Sequence, residues 1–345
     1  MTIQRLGRRP ILGFMVAGIM VLAACTASGG GSATDGADGD GTGGEIFVSG
    51  SSTVEPVTNR VAEVFAESND DFFYTVEGPG TGDGFALFCD GQTDISDASR
   101  AISEEEVAVC EENGIEYVEL LIAYDGLSVT TSAENADVSC LSFLDLYALL
   151  GPESEGFGNW SDANDLAAEL EEELAGEFGT SNAPYPDAAL NVTAPGEESG
   201  TFDSFVELAL EGIAEVRGAD ATTRPDYTAS ANDNVIIEGI AGSPGSLGWV
   251  GLAFAEEAEG VKLIDVDGGG GCITPSDETV ADESYPIARP LFIYPNLASV
   301  EENAALAPFI DFYVSAEGLA LAGEVGYVAL TEEQGQAARD AWAGR

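Results

Sequence analysis

Residues 46–57 read Ile46-Phe47-Val48-Ser49-Gly50-Ser51-Ser52-Thr53-Val54-Glu55-Pro56-Val57. The first three suit a short buried strand. The next five have little side-chain bulk, and beyond them Val57, Val61, Val64 and Phe65 recur at helical spacing. The same succession of strand, small polar turn and helix returns twice. A strand over 72–76 precedes the glycine-rich turn 78–84 and a helix near 85–89. A strand over 190–194 precedes Ser199-Gly200-Thr201 and a helix over 202–210. Turns of Gly, Ser and Thr let backbone N–H groups face outward, and a helix start adds unpaired donors and a positive dipole end. Three such turns brought together would surround a tetrahedral oxyanion with donors while adding almost no formal charge. Singly, each is only a helix cap. The 78–84 turn is not a clean GxGxxG, and no GK[ST] motif is present.

The alternation continues elsewhere. Residues 93–96 form a strand end, 116–122 and 127–131 two separate strands, and 142–150 a helix. Strands over 247–252 and 291–294 precede helical pieces within 304–342, an α/β pattern. Residues 151–187, rich in Gly, Pro and acids with a helical run at 165–174, read as a surface insertion.

At 345 residues and 45% hydrophobic, the chain has enough apolar material for two lobes. Lys and Arg total 11 against 62 Asp and Glu, for a net charge of −51; Lys262 is the only lysine. So acidic a surface excludes nucleic acid and anionic headgroups as partners of the folded part, and suits salty surroundings. With no histidine in the sequence, His-based triads and imidazole-ligated zinc are excluded.

The beginning reads as an export signal over residues 1–24: Arg5, Arg8 and Arg9, then the apolar run 11–24, too short to span a membrane. It ends in Leu22-Ala23-Ala24-Cys25, which resembles a bacterial lipobox, so Cys25 is the expected lipidation site. Residues 25–44, almost without apolar side chains, are the expected flexible tether. Cys89, Cys110, Cys140 and Cys272 remain, an even number that outside the cytoplasm favours disulfides. Of three possible pairings, Cys89 with Cys110 (a short local loop) and Cys140 with Cys272 (a long-range staple) is expected. A metal site is the alternative, unsupported by any CxxC spacing.

Gly50 to Val57, Gly80-Thr81-Gly82-Asp83-Gly84-Phe85, Asp94 to Arg100 and Ser199 to Phe205 resemble, in order, the four ligand loops of the phosphate-binding proteins of ABC importers, the PstS family. Further similarity lies at Ala123 to Leu127, Ala231 to Asn234, Leu247 to Gly251 and Arg289 to Tyr294, so the match runs from about Glu45 to the C-terminus. The resemblance implies a two-lobed periplasmic-binding-protein-like fold of type II. Each lobe would hold a mixed sheet flanked by helices, with a two-strand hinge between them. Residues 45–125 and 288–345 form lobe 1 and 126–287 lobe 2.

It further implies a monomeric binding protein without cofactor or enzymatic activity, tied to the membrane only through its lipid. This protein would pass inorganic phosphate to a membrane permease. Ser51, Ser52 and Thr53 would donate from the first loop, Thr81 from the second, and Ser199, Gly200 and Thr201 from the opposite lobe. Some relatives carry an arginine before the SGT turn; residues 194–198 have none here, so Arg100 is the expected cation. A carboxylate that accepts the ligand's proton would separate phosphate from sulfate. Asp97, Asp125, Glu198 and Asp233 are the candidates, with Asp97 the choice. The alternatives are the same fold on sulfate or molybdate, a phosphate-ester hydrolase, and a purely adhesive lipoprotein.

Overall fold

A computed structural model describes residues 43–174 and 176–345. The export signal, Cys25 and nearly all of the tether lie outside the described residues. Strand β1 (Gly44–Gly50) buries Ile46 and Val48 on one face, and helix α1 (Glu55–Ala66) buries Val57, Val61 and Phe65 at four-residue spacing. Pro56 sits in the first turn of α1, where no intrahelical donor is needed. Strands β2 (Phe72–Glu77) and β3 (Ile95–Ala98) flank β1 in parallel, and helix α2 (Thr81–Cys89) connects them. Helix α3 (Glu104–Asn113) was not anticipated. Its only buried residue is Cys110, so it carries no apolar stripe, but Ser103 and Glu106 form a capping box readable as S-x-x-E.

Strand β4 (Leu120–Ser132) is one continuous strand of 13 residues where two were expected. Asp125 and Gly126 read as a break, yet both are held in the ladder. Asp125 is opposite Arg289 in the antiparallel strand Ala288–Pro295, and a Cβ at Gly126 would stand 2.7 Å from Val280 Cγ2. The N-terminal half of β4 pairs with Ala288–Pro295, which also pairs with β3. The C-terminal half pairs with Ser246–Gly251, beyond which lie Asn191–Ala194 and Thr228–Ala229. One sheet thus runs through the molecule along β4.

Two large apolar cores lie along it. One gathers Ile46, Val61, Ile122, Ile293, Phe309 and Trp342. The other, larger, gathers Leu127, Tyr147, Leu170, Phe205, Trp249 and Ile264. Residues 151–187 are not a surface excursion. Trp160, Ala167 and Leu170 are buried in the second core, and Trp160 Nε1 donates to the Gly245 carbonyl. The buried Asp145 carboxylate ties the segment down, accepting from Asn182 N and from the Ser181 and Tyr185 hydroxyls. The disulfides are Cys89–Cys110, linking α2 to α3, and Cys140–Cys272, linking strands of a small three-stranded sheet.

Helix α2 approaches β1 closely enough that a Cβ on Gly84 would stand 2.4 Å from Gly50 Cα. Gly84→Ala therefore overpacks this junction. Urea unfolding should show a loss of about 1–3 kcal/mol, with α2 and the turn before it displaced.

Candidate functional site

The first turn is held from behind. Ser51 N donates to the Asp97 carbonyl (2.9 Å), and Ser51 Oγ accepts from the amides of Thr53 (3.2 Å) and Val54 (3.4 Å). The second turn hangs on the first through Gly80 N to the Gly50 carbonyl (2.9 Å). Thr81 Oγ1 then meets Ser99 Oγ at 3.0 Å and accepts from Ser99 N at 3.2 Å, fixing the end of β3 to the start of α2. Val54, beside the first turn, belongs to the first core, while Phe85 of α2 and Ala98 at the end of β3 belong to a smaller cluster with Phe292 and Tyr294.

From the second core comes a continuous helical segment over residues 200–217, with a π-turn at Val206–Leu210. Ser199 caps it by accepting from Thr201 N. Gly200 lies against the first turn, where a Cβ would stand 3.1 Å from the Ser52 carbonyl oxygen. Two further contacts join the halves: Ser52 Oγ donates to Asp203 Oδ2 (3.0 Å), and Thr53 Oγ1 meets Ser204 Oγ (3.2 Å).

A cavity of about 300 Å³ opens where these segments meet. Ser51, Ser52, Thr53, Thr81 and Arg100, all anticipated, line it. Ser99, Asp203, Glu207 and Arg289 also line it and were not anticipated. Ser199 and Thr201 stay at the helix cap and are not among the lining residues. A larger, mostly apolar groove between α2 and α3 has no comparable convergence of donors.

Arg289 is the cation that sequence reasoning passed over, although it sits in a stretch whose family likeness was noted. Only 5% exposed, its guanidinium donates to Thr53 Oγ1 (3.0 Å), Ser204 Oγ (2.6 Å) and the Glu207 carboxylate, with Nε 3.5 Å from Asp125. Burial pushes the Asp125 carboxyl up, and the neighbouring Arg289 opposes this. Arg100 is placed differently. Its side chain is 42% exposed, forks onto both Glu106 oxygens at 2.8 Å, and covers the Phe85 ring at 5.6 Å.

The other acids are dispersed. Glu198 lines a separate cavity beside Arg224 and Tyr227, and Asp233 begins the helix Asp233–Ala241, half-buried. Asp97 is 1% exposed and absent from the cavity wall. Its neighbours are Thr58, Tyr313 and Glu55, and neither carboxylate oxygen has a hydrogen bond among the described residues. Burial pushes this carboxyl up to about 7; Glu55 acts in the same direction and the Thr58 hydroxyl opposes. Among the described residues, no group of three or more His, Cys, Asp or Glu side chains is placed to hold a metal ion. No helix among them is long and apolar enough to cross a membrane.

The raised Asp97 value fixes a pH dependence. Between the ordinary carboxylate range and about pH 7 the folded chain holds a proton that the unfolded chain has lost, so stability falls as pH rises through this window. Asp97→Asn removes the titration. Relative to the parent it should gain stability at pH 8, on the order of 4 kcal/mol, and the gain should vanish towards pH 4, as read from paired urea titrations.

The sequence model of the PBP superfamily domain matches residues 34–317. Protein SphX of Synechocystis is 37% identical over 291 residues, covering 84% of this chain and 79% of its own. The phosphate-binding protein PstS of Staphylococcus epidermidis is 30% identical over 322 residues, covering 92% and 89%. A crystal structure described as a possible phosphate binding protein from Planctomyces limnophilus superposes with a TM-score of 0.75 at 32% identity, covering 88% of this chain and 98% of its own. The chain belongs to the PBP superfamily, alongside SphX and the PstS phosphate-binding proteins.

Proposed function

We propose that this chain is an extracytoplasmic substrate-binding protein that captures inorganic phosphate between two lobes and delivers it to the permease of an ABC importer. The observation that carries the reading is the meeting, at one cavity of about 300 Å³, of the polar turns after β1 and before α2, a helix from the second core and two arginines. Such a set suits a small oxyanion: N–H and O–H donors satisfy the oxygens, and the guanidinium groups supply charge in planar forks. The phosphate-binding protein PstS of Staphylococcus epidermidis and the possible phosphate binding protein from Planctomyces limnophilus, by their names, support the same ligand class.

In this reading residues 45–125 and 288–345 form one lobe and 126–287 the other, a division supported by the two apolar cores. The lobes close about β4 and the strand Ala288–Pro295, and the contacts of Ser52 with Asp203 and of Thr53 with Ser204 join them in the closed form. Ser51, Ser52, Thr53 and Thr81 donate from the first lobe, and Arg100 turns from Glu106 to the ligand. The Ser199-Gly200-Thr201 turn brings the helix start from the second lobe. Asp97 lies directly behind the first turn. Cys25 carries the lipid that holds a monomeric protein at the membrane, the low-complexity tether giving it reach. Binding is the whole of the activity proposed, with no catalytic step.

Calorimetric titration of the mature chain tests this reading. A one-to-one phosphate isotherm is expected, accompanied by a change in the fluorescence of Trp249, which stacks on Phe205 at 4.2 Å just beyond the cavity helix. No heat with phosphate and saturable heat with molybdate would contradict it. Arg100→Gln should weaken phosphate about 10- to 100-fold, since a charged donor to the ligand is lost. Parental affinity in that variant would reduce Arg100 to a clamp on α3.

A further inference from the structure

The groove between α2 and α3 encloses about 500 Å³ and adjoins the cavity, Gly82 lining both. Phe85 and Leu87 of α2 give it an apolar lining, and Val109 of α3, 48% exposed, stands at its wall. The charged residues that line it are all acidic, Asp90, Glu105 and Glu106. The Cys89–Cys110 disulfide braces the two helices that form it. Glu106 stands where groove and cavity meet. Its two oxygens take the Arg100 fork at 2.8 Å, and Oε2 also accepts from Ser103 N at 2.8 Å in the α3 cap. Arg100 lines the cavity and Glu106 lines the groove, so one ion pair connects them. An oxyanion that draws Arg100 into the cavity strips the fork from Glu106. That carboxylate, with its side chain only 19% exposed, is then left without its cation beside the apolar lining. The replacement that fits is a second guanidinium, because a planar fork meets both carboxylate oxygens at once and an ammonium does not.

We propose that this groove docks a segment of a partner protein that carries an arginine beside apolar side chains, the arginine taking on Glu106 the place that Arg100 leaves when an oxyanion is bound. The apolar side chains of the segment cover Leu87 and Val109, and the acids of the groove repel an acidic peptide or an anionic headgroup. This rests on reading the cavity as the phosphate site; the partner is then the permease, and the groove reports to it that the cavity is filled. Linkage makes the effect reciprocal. A docked arginine that occupies Glu106 frees Arg100 for the anion, so it raises phosphate affinity by the factor by which phosphate raises docking.

The test is fluorescence anisotropy of a labelled leucine–arginine peptide on the mature chain, with and without inorganic phosphate. A leucine–lysine peptide of equal charge is the control, and about 0.5 M sodium chloride screens diffuse attraction to the acidic surface. A chain that gives no calorimetric heat with phosphate would overturn the phosphate reading itself. If phosphate binds, it should tighten the arginine peptide about fivefold or more, and the lysine peptide less. Glu106→Gln should abolish this dependence while still binding phosphate, since glutamine keeps the capping box of α3. Val109→Ser, an exposed change, should weaken the arginine peptide about three- to tenfold and leave phosphate affinity unchanged. Arginine-peptide affinity indifferent to phosphate would overturn the proposal, as would an equal effect on the lysine peptide. So would a phosphate effect that survives in Glu106→Gln, or parental peptide affinity in Val109→Ser.

Discussion

A guanidinium on a residue only 5% exposed needs compensating charge and hydrogen bonds, and Arg289 finds acceptors for Nη1 and Nη2 on both sides of the molecule, with Nε 3.5 Å from Asp125. Asp125 comes from the middle of β4, Thr53 from the first turn, and Ser204 and Glu207 from the helix of the second core. That one charge fixes the path of β4 where its sequence invites a break, holds the first turn against the opposite helix, and places a positive group at the cavity wall. Removing any of these partners would leave part of the charge desolvated and uncompensated, which is costlier than the loss of an exposed pair.

The same arrangement reconciles an anion site with a net charge of −51. Exposed charges are screened over a Debye length of about 8–10 Å at moderate salt, whereas a buried guanidinium and aligned amides act at contact distance in a lower dielectric. The distant acids therefore weigh on the approach of an anion more than on its final hold. Among the described residues the carboxylates that line the cavity are those of Asp203 and Glu207, and Glu207 is bonded to Arg289 itself.

Much of this was legible in the sequence. The strand–turn–helix succession around Ser51, Thr81 and Ser199 marked the segments that meet, because small polar turns and apolar periodicity are local signals. The cysteine pairing was likewise as expected. The unread parts depend on tertiary contact. Asp125 and Gly126 look like a turn until Arg289 and Val280 are placed against them. Residues 151–187 have the composition of a loop, but Trp160 and Leu170 reach the second core and Asp145 ties the segment down. Arg289 lies inside a strand, far in sequence from any small polar turn, so the pattern that found the turns had no reason to find it. Asp203 and Glu207 were two acids among 62 until the helix carrying them faced the first turn.

The central claim is geometric: the turns after β1 and before α2 and a helix from the second core enclose a single tetrahedral anion beside Arg289. A crystal structure of the mature chain grown with phosphate tests it most directly. The account predicts tetrahedral density between residues 51–53, Thr81 and Arg289, with the two cores in contact around it. Density bound elsewhere on the molecule, with these turns facing solvent on separated lobes, would contradict it.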